Sequence, residues 1–145
     1  MALYLPDVNV LIHCLHAASP HHAACKKWLD KSALNGDELG LAELVEVALL
    51  RITSLPKLQL IPVHDVLGFW REDLGGYPGI RYLAAGSGHR EVFNSYVNDL
   101  ALFGNDINDA WLAALAVEHK AILVTMDEGF RRFPGLKKLN PLDVM

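Results

Sequence analysis

The chain has 145 residues, 52% of them hydrophobic, and a formal charge of −4; this describes one domain over residues 1–145 with enough apolar matter for a core and excludes a disordered chain. No apolar run reaches the roughly 18 residues of a membrane span, and the first residues show no secretory signal, so a cytoplasmic protein is expected. The acidic balance does not advertise nucleic-acid binding, although a bound cation and a local basic patch would offset it near a site.

Leu3–Leu5 reads as a short buried strand ended by Pro6, after which Val10, Leu11, Ile12 and Leu15 resume at helical spacing. Asp7 lies at the junction. It has two readings: a cap for the following helix, or a site carboxylate at the carboxyl end of a parallel strand, where ligands bind in open sheets. Ser19-Pro20 predicts a second helix capped by Ser19, with Ala23, Ala24, Trp28 and Leu29 inward, and Asn35-Gly36-Asp37 ends it. Cys14 and Cys25 are the two cysteines; without metal-like spacing they fit reduced thiols. A very short strand is predicted at 39–41, then helices over 41–53 and 62–74, a turn at 75–79, a strand at 80–85 and a loop at Gly86-Ser87-Gly88. Helices at 89–103 and 107–119 follow, separated by Gly104-Asn105-Asp106. A compact strand at 121–125, a helical turn at 128–133 and a last strand at 136–139 complete the chain. Strands separated by helices predict an α/β fold with a mainly parallel sheet covered on both faces.

Asp127 repeats the placement of Asp7 directly after a strand, while Glu43 and Asp109 sit in the first turns of their helices. Each has a local explanation, because acidic residues favour helix N-termini. In a right-handed parallel sheet, however, strand ends and helix starts share one edge, so these acids can converge. Converging carboxylates raise one another's pKa or take up a cation, and an all-oxygen site suits Mg²⁺ or Mn²⁺ rather than zinc. Such a metal activates water for phosphodiester hydrolysis.

Asp106 precedes Asp109 by one turn and reads as a helix cap or as a carboxylate supporting the site; Glu46 reads as a solvated partner of Arg or Lys. The seven histidines lack a convincing metal spacing and read as ordinary surface residues. Gly86-Ser87-Gly88 lacks the lysine of a phosphate loop, and no serine sits in a nucleophile elbow. Arg131, Arg132, Lys137 and Lys138 are either solvated surface or phosphate contacts beside Asp127. Phe130 and Phe133 read as core or dimer contacts. The apolar excess in 41–53 and 62–74 exceeds core needs and suits a partner surface.

The stretches 5–15 (LPDVNVLIHCL), 20–29 (PHHAACKKWL), 41–47 (LAELVEV), 107–136 (INDAWLAALAVEHKAILVTMDEGFRRFPGL) and 137–142 (KKLNPL) resemble, in order, the PIN-domain ribonucleases, in particular VapC-type toxins of toxin–antitoxin pairs. The resemblance implies a three-layer α/β/α sandwich and a Mg²⁺- or Mn²⁺-dependent endoribonuclease. It matches Asp7, Glu43, Asp109 and Asp127 to the family's acidic quartet. Asp7 and Asp109 would be the principal metal ligands, with Asp127 direct or through water, and Glu43 a general base or water-orienting group. Asn9 and Thr125 match supporting polar positions. An RNA substrate, a small DNA-binding antitoxin and a homodimer are implied as partners. A catalytically silent PIN-like binding module is the alternative. A phosphotransfer reading is disfavoured, because a dehalogenase-type phosphatase should carry a second Asp where Asn9 stands, and a receiver domain needs a Lys that Thr125-Met126-Asp127 does not offer.

Overall fold

Five short strands form one parallel sheet in the order β3–β2–β1–β4–β5. They are β1 (Leu3–Pro6), β2 (Glu38–Ala42), β3 (Ile80–Leu83), β4 (Ile122–Val124) and β5 (Lys137–Leu139). The helices are α1 (Val8–Leu15), α2 (His22–Leu34), α3 (Glu43–Thr53), α4 (Val63–Gly68), α5 (Ser87–Asp99) and α6 (Asp106–Glu118). The computed structural model describes residues 1–58 and 61–143, so the last two positions of the expected 1–145 domain lie outside the described residues. No helix among the described residues is long and apolar enough to cross a membrane.

The sheet is the middle layer of an α/β/α sandwich. Successive residues Leu123 and Val124 are both fully buried, as are Leu5 and Leu39; a strand buried on alternate residues in both directions needs cover on both faces. β1 is central, with Tyr4, Leu5 and Pro6 in register with Ile122, Leu123 and Val124 of β4, and Leu3 and Tyr4 in register with Glu38 and Leu39 of β2. The strand order runs outward from β1 through β2 and β3 on one side, and through β4 and β5 on the other. The crevice beyond the carboxyl ends of β1 and β4 is therefore the topological switch point of the sheet, the place where open α/β sheets bind ligands.

Local details differ from the sequence expectations for physical reasons. Ser19 does not cap α2, which begins at His22; its hydroxyl accepts from the His21 amide and bonds the His13 ring, closing a turn before the helix. The 62–74 helix changes character midway, passing from α4 into a π-helix over Phe69–Leu74 that buries Phe69, Trp70 and Leu74. Gly75 follows it because a Cβ there would stand 2.2 Å from the Arg71 carbonyl oxygen.

α5 starts at Ser87 instead of 89 and ends at Asp99 instead of 103. The predicted Gly86-Ser87-Gly88 loop is mostly helix because its cap comes from elsewhere. Glu118, the last residue of α6, accepts from the amides of Gly86 at 2.8 Å and His89 at 3.0 Å. A Cβ on Gly86 would meet Glu118 Oε2 at 2.6 Å, so glycine makes room for the carboxylate. At the other end Ala101 adopts φ 51°, which stops the helix. His89 is a correction to the surface reading of the histidines: it is 1% exposed, bonds the Trp111 carbonyl through Nε2 and stacks on Phe93.

Glu118→Ala is expected to cost about 1 kcal/mol of stability, the usual value of a lost N-terminal cap, read by denaturant unfolding at neutral pH. The hydrogen bond from Gly86, ahead of the one from His89, holds the Glu118 carboxyl below its ordinary range. The contribution is complete above the unfolded value of about 4.3 and is lost as pH falls through the lower folded value. The parent and variant stabilities therefore converge in strong acid.

Candidate active site

Three carboxylates reach the switch point from three separate segments. Asp7 leaves β1, its amide donating to the Val124 carbonyl at 2.8 Å, so the β1–β4 pairing continues up to the site. Its side chain caps α1 by accepting from the Val8 amide at 2.7 Å, and its other oxygen accepts from the Thr125 hydroxyl at 2.9 Å. Asp7 thus caps α1 with one oxygen while the other is held at the carboxyl end of β1. Asn9 donates to Asp7 Oδ2 and to Thr125 Oγ1, both at 3.3 Å, and its carbonyl oxygen faces the Met126 amide at 3.4 Å. Thr125, 3% exposed, also accepts from the Asp127 amide at 3.1 Å. Asn9 and Thr125 therefore lock the Asp7 carboxylate to the turn that carries Asp127.

Asp127 follows β4 and caps the 3₁₀ helix Glu128–Arg132 by accepting from the Gly129 amide at 2.8 Å. Asp109 projects from the first turn of α6. The cluster is electrostatically strained. Burial pushes the Asp7 carboxyl up, and Asp127 adds to the rise, against the hydrogen bonds from Thr125 and Val8. Burial, then Asp127 and Asp7, push Asp109 up to about 6, against the pull of Arg132.

Asp106 does not cap α6; Asn105 precedes the helix without a side-chain cap. Its carboxylate instead pairs with Arg132 Nη2 at 3.3 Å, and the same nitrogen lies 3.1 Å from Asp109 Oδ2. Arg132 is thereby drawn into the acidic site, not into a basic strip. Its neighbours are committed elsewhere: Arg131 pairs with Glu128 at 2.7 Å and Lys138 with the same carboxylate at 3.6 Å. Lys137 makes no ion pair among the described residues. Phe130 and Phe133 are core residues.

Glu43 opens α3 straight from the end of β2, on the same sheet edge. It is exposed and makes no hydrogen bond among the described residues. It lines a smaller depression with Ala84, Ala85 and Trp111, so the structure does not join it to the Asp7 network. Glu46 lies near it, facing Trp70 and Tyr82 across another depression.

A cleft of ≈ 370 Å³ opens over Asp7 and Asp109, walled by Leu44, Val47, Ala48 and Ile52 of α3 and by Asn105 and Asn108 before and within α6. Arg51 also lines it. Sequence reasoning overlooked Arg51, although its spacing of four residues from Val47 places both on one helix face.

Among the described residues, no three His, Cys, Asp or Glu side chains form a ready-made metal cage. The donor set nonetheless fits a hard divalent cation. It is all carboxylate, and after burial, which raises both Asp7 and Asp109, the charges of neighbouring acids raise them further. Mg²⁺ is ordinarily held by one or two carboxylates, waters and substrate phosphates, not by an all-protein cage.

The sheet order and the acids at its switch point define a class that the comparisons identify: the chain matches the PIN-domain family model over residues 4–136 and belongs to that family. Similar members of the family include VapC ribonucleases. It is 33% identical over 138 residues to VapC ribonuclease Mb2897 of Mycobacterium bovis, covering 94% of each chain. It is 30% identical over 132 residues to ribonuclease VapC37 of Mycobacterium tuberculosis, covering 90% of this chain and 92% of that one. The fold is similar to that in a structure of VapBC2 from Rickettsia felis bound to a promoter DNA fragment, with a TM-score of 0.71 at 18% identity over 95% of this chain and 98% of the other. A structure of VapBC-1 from nontypeable Haemophilus influenzae gives a TM-score of 0.68 at 17% identity over 97% and 99%.

Proposed function

We propose that the chain is a metal-dependent endoribonuclease, the toxin of a VapBC-type toxin–antitoxin pair, working as a single nuclease domain over residues 1–145 in the cytoplasm. The observation that carries this reading is the convergence of Asp7, Asp109 and Asp127 at the crevice between β1 and β4. Kinship with VapC ribonucleases supports RNA as the phosphodiester, and the VapBC complexes among the fold relatives support a small DNA-binding antitoxin as partner.

Asp7 and Asp109 are the principal ligands for Mg²⁺ or Mn²⁺, with Asp127 binding directly or through water. When bound, the cation supplies charge to offset the approaching phosphate and lowers the pKa of water. The chain's own residues prepare that chemistry. Thr125 and Asn9 hold Asp7 Oδ2 in place by hydrogen bonds, the kind of supporting contact that orients metal ligands. Glu43, exposed on the same sheet edge, is the carboxylate available to accept the proton of the attacking water. Arg51 faces the cleft from α3 and suits a backbone phosphate, which Arg positions without reading sequence. Val47 of α3 and Val63 and Leu67 of α4 remain exposed; this apolar face is the one we assign to a second copy or an antitoxin segment.

The test is cleavage of RNA by the purified chain with Mg²⁺ or Mn²⁺. Activity should vanish in EDTA and return when the cation is restored; cleavage that survives EDTA overturns the reading. The alternative, a catalytically silent binding module, takes support from the ion pair that Arg132 makes with Asp109. Growth arrest that Asp127→Asn leaves intact, with no nuclease activity detected, would favour it.

A further inference from the structure

We propose that Arg132 is a tethered counter-ion of the acidic cleft, which holds the Asp109 carboxylate through an ion pair and must release it before a divalent cation can bind. The inference rests on the metal-site reading above and adds a residue that competes with the metal.

The placement of Arg132 is fixed by the same short segment that carries Asp127. Asp127 caps the 3₁₀ helix Glu128–Arg132, and the buried rings of Phe130 and Phe133 pin that segment to the core. The guanidinium lies 5.0 Å from the centre of the Phe133 ring, within cation–π range. From there one nitrogen, Nη2, spans two carboxylates on successive turns of α6, at 3.3 Å from Asp106 Oδ1 and 3.1 Å from Asp109 Oδ2. The positive charge therefore sits on Asp109, one of the two carboxylates that would be the principal ligands of a bound cation.

The way Arg132 makes these contacts marks the pairing as exchangeable. Strong arginine–carboxylate pairs are frequently bidentate, with two parallel N–H···O bonds to one carboxylate. Here a single nitrogen serves both acids, and Nε is shielded from solvent without a hydrogen-bond partner. The guanidinium is therefore not saturated by the two carboxylates it touches. Asp106 gives the guanidinium a second partner that lies outside the Asp7–Asp109 pair. When Asp109 is surrendered to a cation, Asp106 retains the arginine close by.

A structural cross-link and a competing cation predict opposite results. Loss of a cross-link loosens Asp109 and weakens metal binding. Loss of a competing charge strengthens it. The experiment is calorimetric titration of the purified full-length chain with Mn²⁺ in the absence of RNA, comparing the parent, Arg132→Gln and Arg132→Lys. Arg132→Gln is expected to bind Mn²⁺ about tenfold or more tightly, because like charges beside a cation site oppose binding. Arg132→Lys keeps the charge and should stay within a fewfold of the parent. Since a ligand that binds the folded state raises its stability by linkage, saturating Mn²⁺ should raise the melting temperature of Arg132→Gln more than that of the parent. The Asp106→Asn effect on Mn²⁺ affinity should shrink in the Arg132→Gln background, as expected when one residue acts through the other. Equal or weaker Mn²⁺ binding by Arg132→Gln overturns the proposal while leaving the metal site intact. Failure of both the parent and Arg132→Gln to take up Mn²⁺ overturns the metal site, and this inference with it.

Discussion

Asp7→Asn is expected to leave a folded protein that cleaves RNA at least about 10³-fold more slowly than the parent. The magnitude follows from the several kcal/mol that a bound metal contributes to transition-state charge stabilisation, at 1.36 kcal/mol per tenfold in rate. The fold survives because asparagine is as good an N-cap as aspartate, and its side-chain oxygen can still accept from the Val8 amide that Asp7 holds at 2.7 Å. The charge itself is a liability to the fold. Burial and Asp127 push the Asp7 carboxyl up, and Asp7 in turn helps to push Asp109 up to about 6. A carboxyl raised in the folded state binds more protons there than in the unfolded chain, so stability falls as pH rises from about 3.9 to the folded value near 6. Asp7→Asn removes one such carboxyl and lowers the other. The variant should therefore lose less melting temperature than the parent between about pH 4 and pH 7, while RNA cleavage is lost. Cleavage within tenfold of the parent would remove Asp7 from the metal site. An acidic cluster that costs stability and supplies activity is the usual trade at a functional site.

The sheet and two of its acids were legible from local pattern. Pro6 ends a three-residue apolar run and Asp7 follows at once; Thr125 ends another and Asp127 follows, so the period of the strands alone places both at strand ends. Asp109 was legible as a helix-start acid because Gly104 and Asn105 break the preceding helix. What local pattern could not carry were contacts made across long stretches of chain. Glu118 caps α5 from 32 residues away, so a Gly-Ser-Gly triplet that reads as a loop opens a helix. Arg132 reaches Asp109 from 23 residues away, which turns a basic strip into an internal counter-ion and takes Asp106 out of its expected cap. His89 looks like any surface histidine until Trp111 and Phe93 enclose it. Glu43 is the converse case. Position alone brings it to the sheet edge where α3 begins, but no neighbour among the described residues fixes its side chain, so the role proposed for it rests on family resemblance and not on a contact.

Thr125→Val should damage both the fold and the site, and the two losses can be separated. The valine keeps the shape of the side chain and removes one hydroxyl that works in three directions. It donates to Asp7 Oδ2 at 2.9 Å, accepts from the Asp127 amide at 3.1 Å and accepts from Asn9 at 3.3 Å. At 3% exposure there is little water to replace it. Leaving these groups unsatisfied is expected to cost about 2 kcal/mol of stability, within the range for buried polar groups that lose a partner. Without the Thr125 hydroxyl, Asp7 also loses a hydrogen bond that favours its ionised form, so the carboxyl rises further and competes less well for a cation. Mn²⁺ affinity should fall roughly 10–100-fold, as it does when a ligand loses its supporting hydrogen bond. Thr125→Ser retains the hydroxyl and gives up only a methyl group, so it should recover most of the Mn²⁺ affinity while remaining somewhat less stable than the parent. Denaturant midpoints and Mn²⁺ titrations of the two variants check this. If Thr125→Val lost stability but bound Mn²⁺ as the parent does, the hydroxyl would serve only to join β4 to β1, and Asp7 would owe its orientation to the Val8 amide and Asn9 alone.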